Sequence, residues 1–130
     1  MTAPTHTLTD IELQRRIGEL SGWKDIEPDS YWYEDYFDTR EVRCLFGVSP
    51  NHGGRVPLPR WPTDEGAALR ACMDVARERG YKLEIWPDRE NVIAARFERL
   101  TLGSSRGYAE APTLARALAE LLAAALEPQP

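Results

Sequence analysis

The stretch that decides the fold is PRWPTDEGAALRACMDVARERGYKLEIW, from Pro59 to Trp86. Thr63 or Asp64 can accept hydrogen bonds from the free amides of a helix's first turn, and Gly80 can adopt the left-handed conformation that ends a helix. Residues 64–79 between them have an amphipathic pattern, followed by the alternating strand pattern of residues 81–86. The sequence therefore predicts a capped helix that leads into a strand. The expected core face of this helix carries Leu69, Cys72, Met73 and Ala76.

Two further helices are predicted, one near each end of the chain. The first begins at Thr9, where Thr-Asp-Ile-Glu has capping-box form, and ends at Ser21-Gly22, so that Trp23 can fold back across the helix end. The last begins near Pro112-Thr113, and Pro128 follows it. Their expected core residues are Leu13, Ile17 and Leu20 in the first, and Leu114, Leu118, Leu121, Leu122 and Ala125 in the last.

The strands are predicted from alternation. Residues 42–48 alternate as a strand, and residues 81–100 form a hairpin that turns at Pro87-Asp88-Arg89-Glu90. Leu83 and Ile85 should face inward in the hairpin. The returning strand should carry Ile93, Ala95 and Phe97 on one side. Residues 49–62 and 103–107 are rich in glycine, proline and serine and are predicted to be loops.

Together these elements predict an α+β fold in one domain. A chain of 130 residues suits one hydrophobic core. We expect one mostly antiparallel sheet with helices packed on both faces, an alpha-beta-alpha sandwich. Residues 1–8 are expected to be a flexible arm, 9–127 the domain, and 128–130 a tail. An open sheet edge would allow a homo-oligomer.

Composition and charge narrow the functional classes. The net charge of −5 disfavours general binding to nucleic acid, because that binding needs cations to neutralise phosphates. No apolar run suits a membrane span and no signal peptide is apparent, so we expect a protein of the cytosol. Cys44 and Cys72 are expected to be free thiols. The sequence indicates no metal site, cofactor motif or catalytic group, and so favours a protein that is not an enzyme.

An acidic aromatic block from Asp25 to Glu41 has two interpretations. Its aromatic residues could form a surface that recognises a protein or a cation, or they could belong to a strand that buries them while the acids face water. We favour the buried strand. Its aromatic residues are Tyr31, Trp32, Tyr33, Tyr36 and Phe37.

The best candidate for ligand binding is the approach to the central helix. Free amides and the positive end of the helix dipole near Thr63 could hold an anion, with Arg55 and Arg60 as cationic groups and Trp61 as a plate for a ring. Asp64 and Glu65 would oppose an anion, as ordinary capping residues do. Arg106, between small residues in the loop 103–107, is a second candidate for phosphate.

The chain resembles the phage ABA sandwich domain family of small phage and prophage proteins. The matching features are Gly22-Trp23-Lys24 after the first helix, Thr63-Asp64 after a proline-rich approach, and the helix start Ala111-Pro112-Thr113-Leu114-Ala115-Arg116-Ala117-Leu118. The acidic aromatic block is longer than the family's usual connection. The resemblance implies an alpha-beta-alpha sandwich encoded by a phage or prophage, with no catalytic residues to carry over. It also implies a counter-defence role as one hypothesis.

Three functions remain open at this stage. The first is a non-enzymatic protein that binds a small anionic ligand, such as a nucleotide immune signal, through Arg55, Arg60, Trp61, Thr63 and Arg106. The second is a module that docks the acidic aromatic block on a host or phage protein. The third is an unrecognised hydrolase.

Overall fold

The computed structural model describes residues 7–99 and 105–128; for residues 105 and 106 it describes only the backbone. Within these ranges the chain forms helices and antiparallel strands. The elements in chain order are α1 (Asp10–Leu20), β1 (Lys24–Glu34), β2 (Thr39–Val48), β3 (Arg55–Pro57), α2 (Glu65–Arg79), β4 (Tyr81–Arg89), β5 (Val92–Arg99), β6 (Ser105–Ala111) and α3 (Leu114–Leu126).

Local capping signals fix the ends of all three of these helices. The Asp64 carboxylate accepts a hydrogen bond from the Ala67 amide at 3.2 Å at the start of α2, and Gly80 ends that helix with a left-handed φ of 69°. At α1, Thr9 and Glu12 form the predicted reciprocal capping box. At α3 the Thr113 hydroxyl accepts a hydrogen bond from the Arg116 amide at 3.2 Å, so the three helix predictions are confirmed.

The described strands form two separate sheets, with orders β1-β2-β3 and β4-β5-β6, and every pairing is antiparallel. The α+β class, with helices packed on antiparallel strands, is confirmed. The expectation of one sheet is wrong. The proline- and glycine-rich segment 49–62 contributes only the short strand β3 to the first sheet before the chain leaves for α2, so the later strands start a new sheet.

The helices connect the two sheets. α3 contacts α1, α2, β5 and β6, while α1 also contacts β1. The helices therefore contact two sheets, instead of packing on both faces of a single sheet. The core cluster contains Leu13 and Ile17 of α1, Cys72 of α2, Phe97 of β5 and Leu118 of α3.

Some expected core residues face water. In α2 the buried residues are Ala67, Ala68, Cys72, Val75 and Ala76, whereas Leu69 and Met73 are exposed. The core face of α2 is therefore rotated from the predicted face towards small residues, which allow the close approach of α3. Ile85 of β4 is also exposed and Leu83 is half-buried. By contrast, Ala95 and Phe97 are fully buried, as predicted.

The favoured interpretation of the acidic aromatic block is wrong. Residues 24–48 form a long β1–β2 hairpin, but every residue from Glu27 to Glu41 is exposed, including all five aromatic residues. The turn lies at residues 35–38, slightly before the predicted Asp38-Thr39-Arg40. The exposure of these aromatic side chains shows that no described helix covers them.

The second hairpin turns at Glu90-Asn91, later than predicted, with Asn91 at a positive φ of 60°. Residue 105 begins β6, inside the range predicted as a loop. The Leu8 carbonyl accepts a hydrogen bond from Arg116 at 2.6 Å, while residues 1–6 of the predicted arm and 129–130 of the predicted tail lie outside the described residues.

Candidate functional site

A cleft of about 570 Å³ lies between α1 and the β1–β2 hairpin. The segment from Arg60 to Thr63 closes one side of it. Its volume lies within the range of small-molecule sites in proteins. The lining residues are Asp10, Ile11, Gln14 and Arg15 from α1; Pro28, Asp29, Ser30, Glu41, Arg43, Cys44 and Leu45 from the hairpin; and Arg60, Pro62 and Thr63.

The register of the hairpin explains how Pro28, Ser30, Arg43 and Leu45 reach the cleft, while the pair Asp29 and Cys44, which also lines it, belongs to the other face. Pro28 lies opposite Leu45 and Ser30 lies opposite Arg43, and residues directly opposite in an antiparallel pair share one face. This face is turned towards α1, where Leu45 is buried. The cleft therefore has an apolar floor beneath polar and charged walls.

The approach to α2 positions Arg60 and Thr63. The Arg60 carbonyl accepts hydrogen bonds from the amides of Thr63 at 3.0 Å and Asp64 at 2.7 Å, which makes a tight turn just before the helix. Gln14 holds the same segment, because its side-chain amide donates to the carbonyls of Leu58 at 3.3 Å and Pro59 at 3.0 Å. Backbone contacts thus fix the side of the cleft where Arg60 lies.

The three arginines of the cleft differ in their partners. Arg15 donates to the Ile26 carbonyl at 2.8 Å, and Arg43 lies 3.8 Å from the Glu41 carboxylate. The exposed Arg60 guanidinium has no hydrogen bond or ion pair with any residue that the structure describes. Among these three, Arg60 is therefore the cation that is free to bind an anion.

The carboxylates of the cleft also differ in whether they have a cation partner. Asp10 pairs with Arg116 at 2.8 Å, and Glu41 lies beside Arg43. Asp29 accepts a hydrogen bond from the Ser30 amide at 2.8 Å and has no cation partner among the described residues. Asp29 would therefore repel an anion on the hairpin wall, so an anionic group would be favoured on the opposite side, near Arg60 and Thr63.

The structure separates the five predicted site residues. Arg60 and Thr63 both line the cleft. Arg55 instead lies on β3, where it donates to the Asp25 carbonyl at 2.8 Å and approaches Glu27 at 3.8 Å. Trp61 is only 6% exposed and belongs to the core, so its ring cannot serve as an open stacking plate. Arg106 lies in β6, but its side chain is outside the described part of the structure.

Sequence reasoning missed the contributions of Arg15, Arg43 and Cys44 to the cleft. Arg15 is on the predicted first helix and Cys44 is on a predicted strand, but no sequence signal indicated that these two elements would face each other across a gap. The alternation of residues 42–48 places Arg43 on one face of the strand and Val42 and Cys44 on the other. It therefore gave no reason to expect Arg43 and Cys44 in one cleft. Their common location depends on how α1 sits on the first sheet.

Other classes of site receive no support from the described residues. They contain no group of three or more His, Cys, Asp or Glu side chains placed to hold a metal ion. Within the same ranges, no helix has both the length and the apolar character needed to cross a bilayer.

The chain matches no family model, no curated protein and no solved structure. The phage-family resemblance therefore stays a prediction.

Proposed function

We propose that this protein is a non-enzymatic binding protein that holds a small anionic molecule in the cleft between α1 and the β1–β2 hairpin. The observation that carries the proposal is the unpaired guanidinium of Arg60 at the wall of a cleft of about 570 Å³. A guanidinium can donate two parallel hydrogen bonds to a phosphate or carboxylate. The Thr63 hydroxyl on the same wall donates to the Arg60 carbonyl at the long distance of 3.4 Å, and rotation of the hydroxyl would let it donate to an anion instead.

The apolar floor narrows the class of ligand. Leu45, Pro28 and Pro62 line the cleft, so a ligand with an apolar or ring portion next to its anionic group would bury surface that a bare phosphate would not. A nucleotide satisfies both conditions. Because Trp61 is buried, the base would lie against the floor rather than stack on a tryptophan.

The biological role follows from the resemblance rather than from the cleft. A phage or prophage accessory protein in the host cytosol that sequesters a nucleotide immune signal would need affinity and no catalysis. That role remains part of the proposal. Its test is whether expression of the protein in a bacterium protects an infecting phage from a nucleotide-signalling defence, and whether Arg60→Gln removes the protection.

Ligand binding is tested by thermal unfolding against a panel of mononucleotides, cyclic nucleotides, dinucleotides and inorganic phosphate. A ligand at 100 times its Kd raises the free energy of unfolding by about 2.7 kcal/mol. We expect a nucleotide to raise Tm and Arg60→Gln to weaken binding about tenfold or more, because a charge-assisted hydrogen bond is lost.

Arg77→Gln is the matched control, because it removes the same charge from an exposed site on α2 away from the cleft. It should leave the nucleotide affinity unchanged. Equal losses in the two variants would show that net charge, and not the cleft, determines binding. Absence of a Tm shift with every member of the panel would contradict the proposal.

A further inference from the structure

The hairpin segment from Glu27 to Glu41, here called the acidic aromatic hairpin, presents large aromatic rings to water. Tyr36 is 95% exposed, Phe37 92% and Trp32 71%. A concentrated set of exposed rings on a soluble domain is typical of a surface that becomes covered by a partner. Aromatic side chains are also the type most enriched at the energetically dominant positions of interfaces.

The tip of this hairpin has a fixed conformation. The Asp35 carboxylate accepts hydrogen bonds from the amides of Phe37 at 2.8 Å and Asp38 at 2.7 Å, and the Asp35 amide donates to the Asp38 carbonyl at 2.9 Å. The rings of Tyr36 and Phe37 meet edge to face with centroids 5.4 Å apart. The backbone that carries the two rings is therefore ordered before any partner arrives, which lowers the entropy lost on binding.

The charge of the hairpin specifies the chemistry of its partner. Six carboxylates and one arginine lie between Glu27 and Glu41. Glu34 has no ion pair within the described ranges, and Asp38 is only 4.0 Å from Arg40 on an exposed surface, where such pairs are weak. The surface thus combines available negative charge with aromatic faces.

The hairpin already shows this recognition on a small scale. The guanidinium of Arg40 lies over the ring of Tyr33, 5.2 Å from its centroid, and Arg40 also approaches the Asp38 carboxylate. An aromatic face beside a carboxylate is therefore a geometry that accepts a guanidinium here. Tyr36, Phe37 and Trp32 offer further faces next to Asp38 and Glu34.

We propose that the acidic aromatic hairpin docks on an arginine- and lysine-rich segment of a partner protein. Cations of that segment would stack on the exposed rings and pair with the neighbouring carboxylates. A second copy of this chain is disfavoured as the occupant, since the whole chain has a net charge of −5 and each copy would bring the same acidic hairpin. The same negative charge disfavours nucleic acid.

The proposal is tested by fluorescence anisotropy with three labelled peptides: hexa-arginine, hexa-lysine and hexa-glutamine, each at low and physiological salt. The full-length protein should bind the two cationic peptides, with hexa-arginine tighter because guanidinium groups stack better on rings. Tyr36→Ser with Phe37→Ser should weaken hexa-arginine binding about tenfold or more at physiological salt, while leaving net charge and Tm unchanged.

Charge reversal distinguishes attraction of the peptide by the hairpin carboxylates from attraction by the net negative charge of the protein. Glu34→Lys with Asp38→Lys should abolish binding, and Asp35 is left intact because it holds the turn. Asp74→Lys with Glu78→Lys makes the same change on the exposed surface of α2 and is the matched control. The proposal is overturned if both reversals weaken hexa-arginine binding equally, or if the double serine variant binds hexa-arginine like the original protein. It is also overturned if hexa-glutamine or duplex DNA binds as tightly as hexa-arginine.

The proposal for the acidic aromatic hairpin and the proposal for the cleft can be contradicted independently of each other. Arg60→Gln should not change peptide binding, and Tyr36→Ser with Phe37→Ser should not change the nucleotide affinity. A nucleotide that shifts Tm in a protein that ignores all three peptides supports the cleft alone. Peptide binding without any nucleotide response supports the hairpin alone.

Discussion

At the scale of single residues, the two cysteines provide a direct probe of the cleft. Cys44 is half-buried and lines the cleft. Cys72 is buried in the core, where its Sγ donates to the Leu118 carbonyl at 3.3 Å, and burial raises the pKa of its thiol to about 12. Because the thiolate is the reactive form, Cys72 should be inert to alkylation in the folded protein.

We therefore predict that iodoacetamide modifies Cys44 selectively and that a ligand in the cleft slows the reaction. Mass spectrometry of the folded protein should show one added group, located by peptide mapping at Cys44, and Cys44→Ser should show none. A nucleotide that stabilises the protein should reduce the labelling rate severalfold. Labelling that continues at an unchanged rate when the nucleotide is saturating would place that nucleotide elsewhere.

The α1 cap predicts a pH dependence of stability. The Thr9 amide donates to the Glu12 carboxylate at 3.0 Å, and this hydrogen bond, together with that from the Thr9 hydroxyl, holds the Glu12 pKa below its ordinary value of 4.5. A carboxyl with a lower pKa in the folded state stabilises the fold above its unfolded-state pKa. The contribution is lost as pH falls through the folded-state value.

Glu12→Gln should therefore lower Tm at pH 7 and converge with the original protein as pH falls below about 4.5. Thr9→Ala should cost about 1 kcal/mol of unfolding free energy at pH 7, the usual value for loss of a helix cap. Urea unfolding of both variants across pH 3 to 7 measures these effects. A constant difference between Glu12→Gln and the original protein over this range would contradict the assigned role of the carboxylate.

At the scale of elements, what could be predicted from sequence depends on the range of the signal. Asp64 and Gly80 specify the ends of α2 through contacts within one turn, so the helix could be placed correctly from sequence. The position of Trp61 could not, because its burial depends on contacts with elements distant in the chain. Arg55 likewise finds the Asp25 carbonyl 30 residues away, which no local pattern indicates.

The same limit explains the error at the acidic aromatic hairpin. Aromatic residues in a strand normally predict burial, but burial also requires a second layer opposite the strand. Leu45 near the base of the hairpin belongs to the core cluster, whereas every residue from Glu27 to Glu41 is exposed, so only the base of the hairpin has a second layer over it. Which part of a strand is covered by another layer depends on tertiary packing, which the local sequence pattern does not indicate.

Within α3, Arg116 and Glu120 form a buried ion pair, and Arg116 also pairs with the exposed Asp10 of α1. Arg116 donates to Glu120 at 2.9 Å and to Asp10 at 2.8 Å, and Glu120 is only 5% exposed. Removal of the arginine would leave the Glu120 carboxylate buried without this cation. We predict that Arg116→Met lowers the free energy of unfolding by about 3 to 5 kcal/mol.

Two further variants distinguish an uncompensated charge from lost packing. Arg116→Met combined with Glu120→Leu should recover most of the lost stability, because no carboxylate then needs a partner. Arg77→Met, which breaks an exposed pair with Asp74, should cost less than about 1 kcal/mol. Urea denaturation provides all three values. If the double variant were as unstable as Arg116→Met, lost packing would explain the effect.

At the scale of the whole molecule, the chain combines one connected core with one projection. The core cluster includes residues of all three helices and of both sheets, so the described body should unfold as a unit. The acidic aromatic hairpin contributes no buried residue between Glu27 and Glu41. The residues that stabilise the fold and those proposed to bind a partner therefore lie in different parts of the chain.

This division predicts that the outer hairpin can be removed without unfolding the body. Trp32 pairs with Glu41, so residues 33–40 can be replaced by Asn-Gly, a two-residue turn that suits a hairpin and keeps the cleft residue Glu41. The unfolding free energy should change by less than about 1 kcal/mol, since the deleted residues are exposed. By comparison, Leu118→Ala in the core should cost about 2 to 5 kcal/mol. The shortened protein should retain the nucleotide response of the Arg60 wall and lose hexa-arginine binding; a large loss of stability on shortening would instead show that the hairpin is structural.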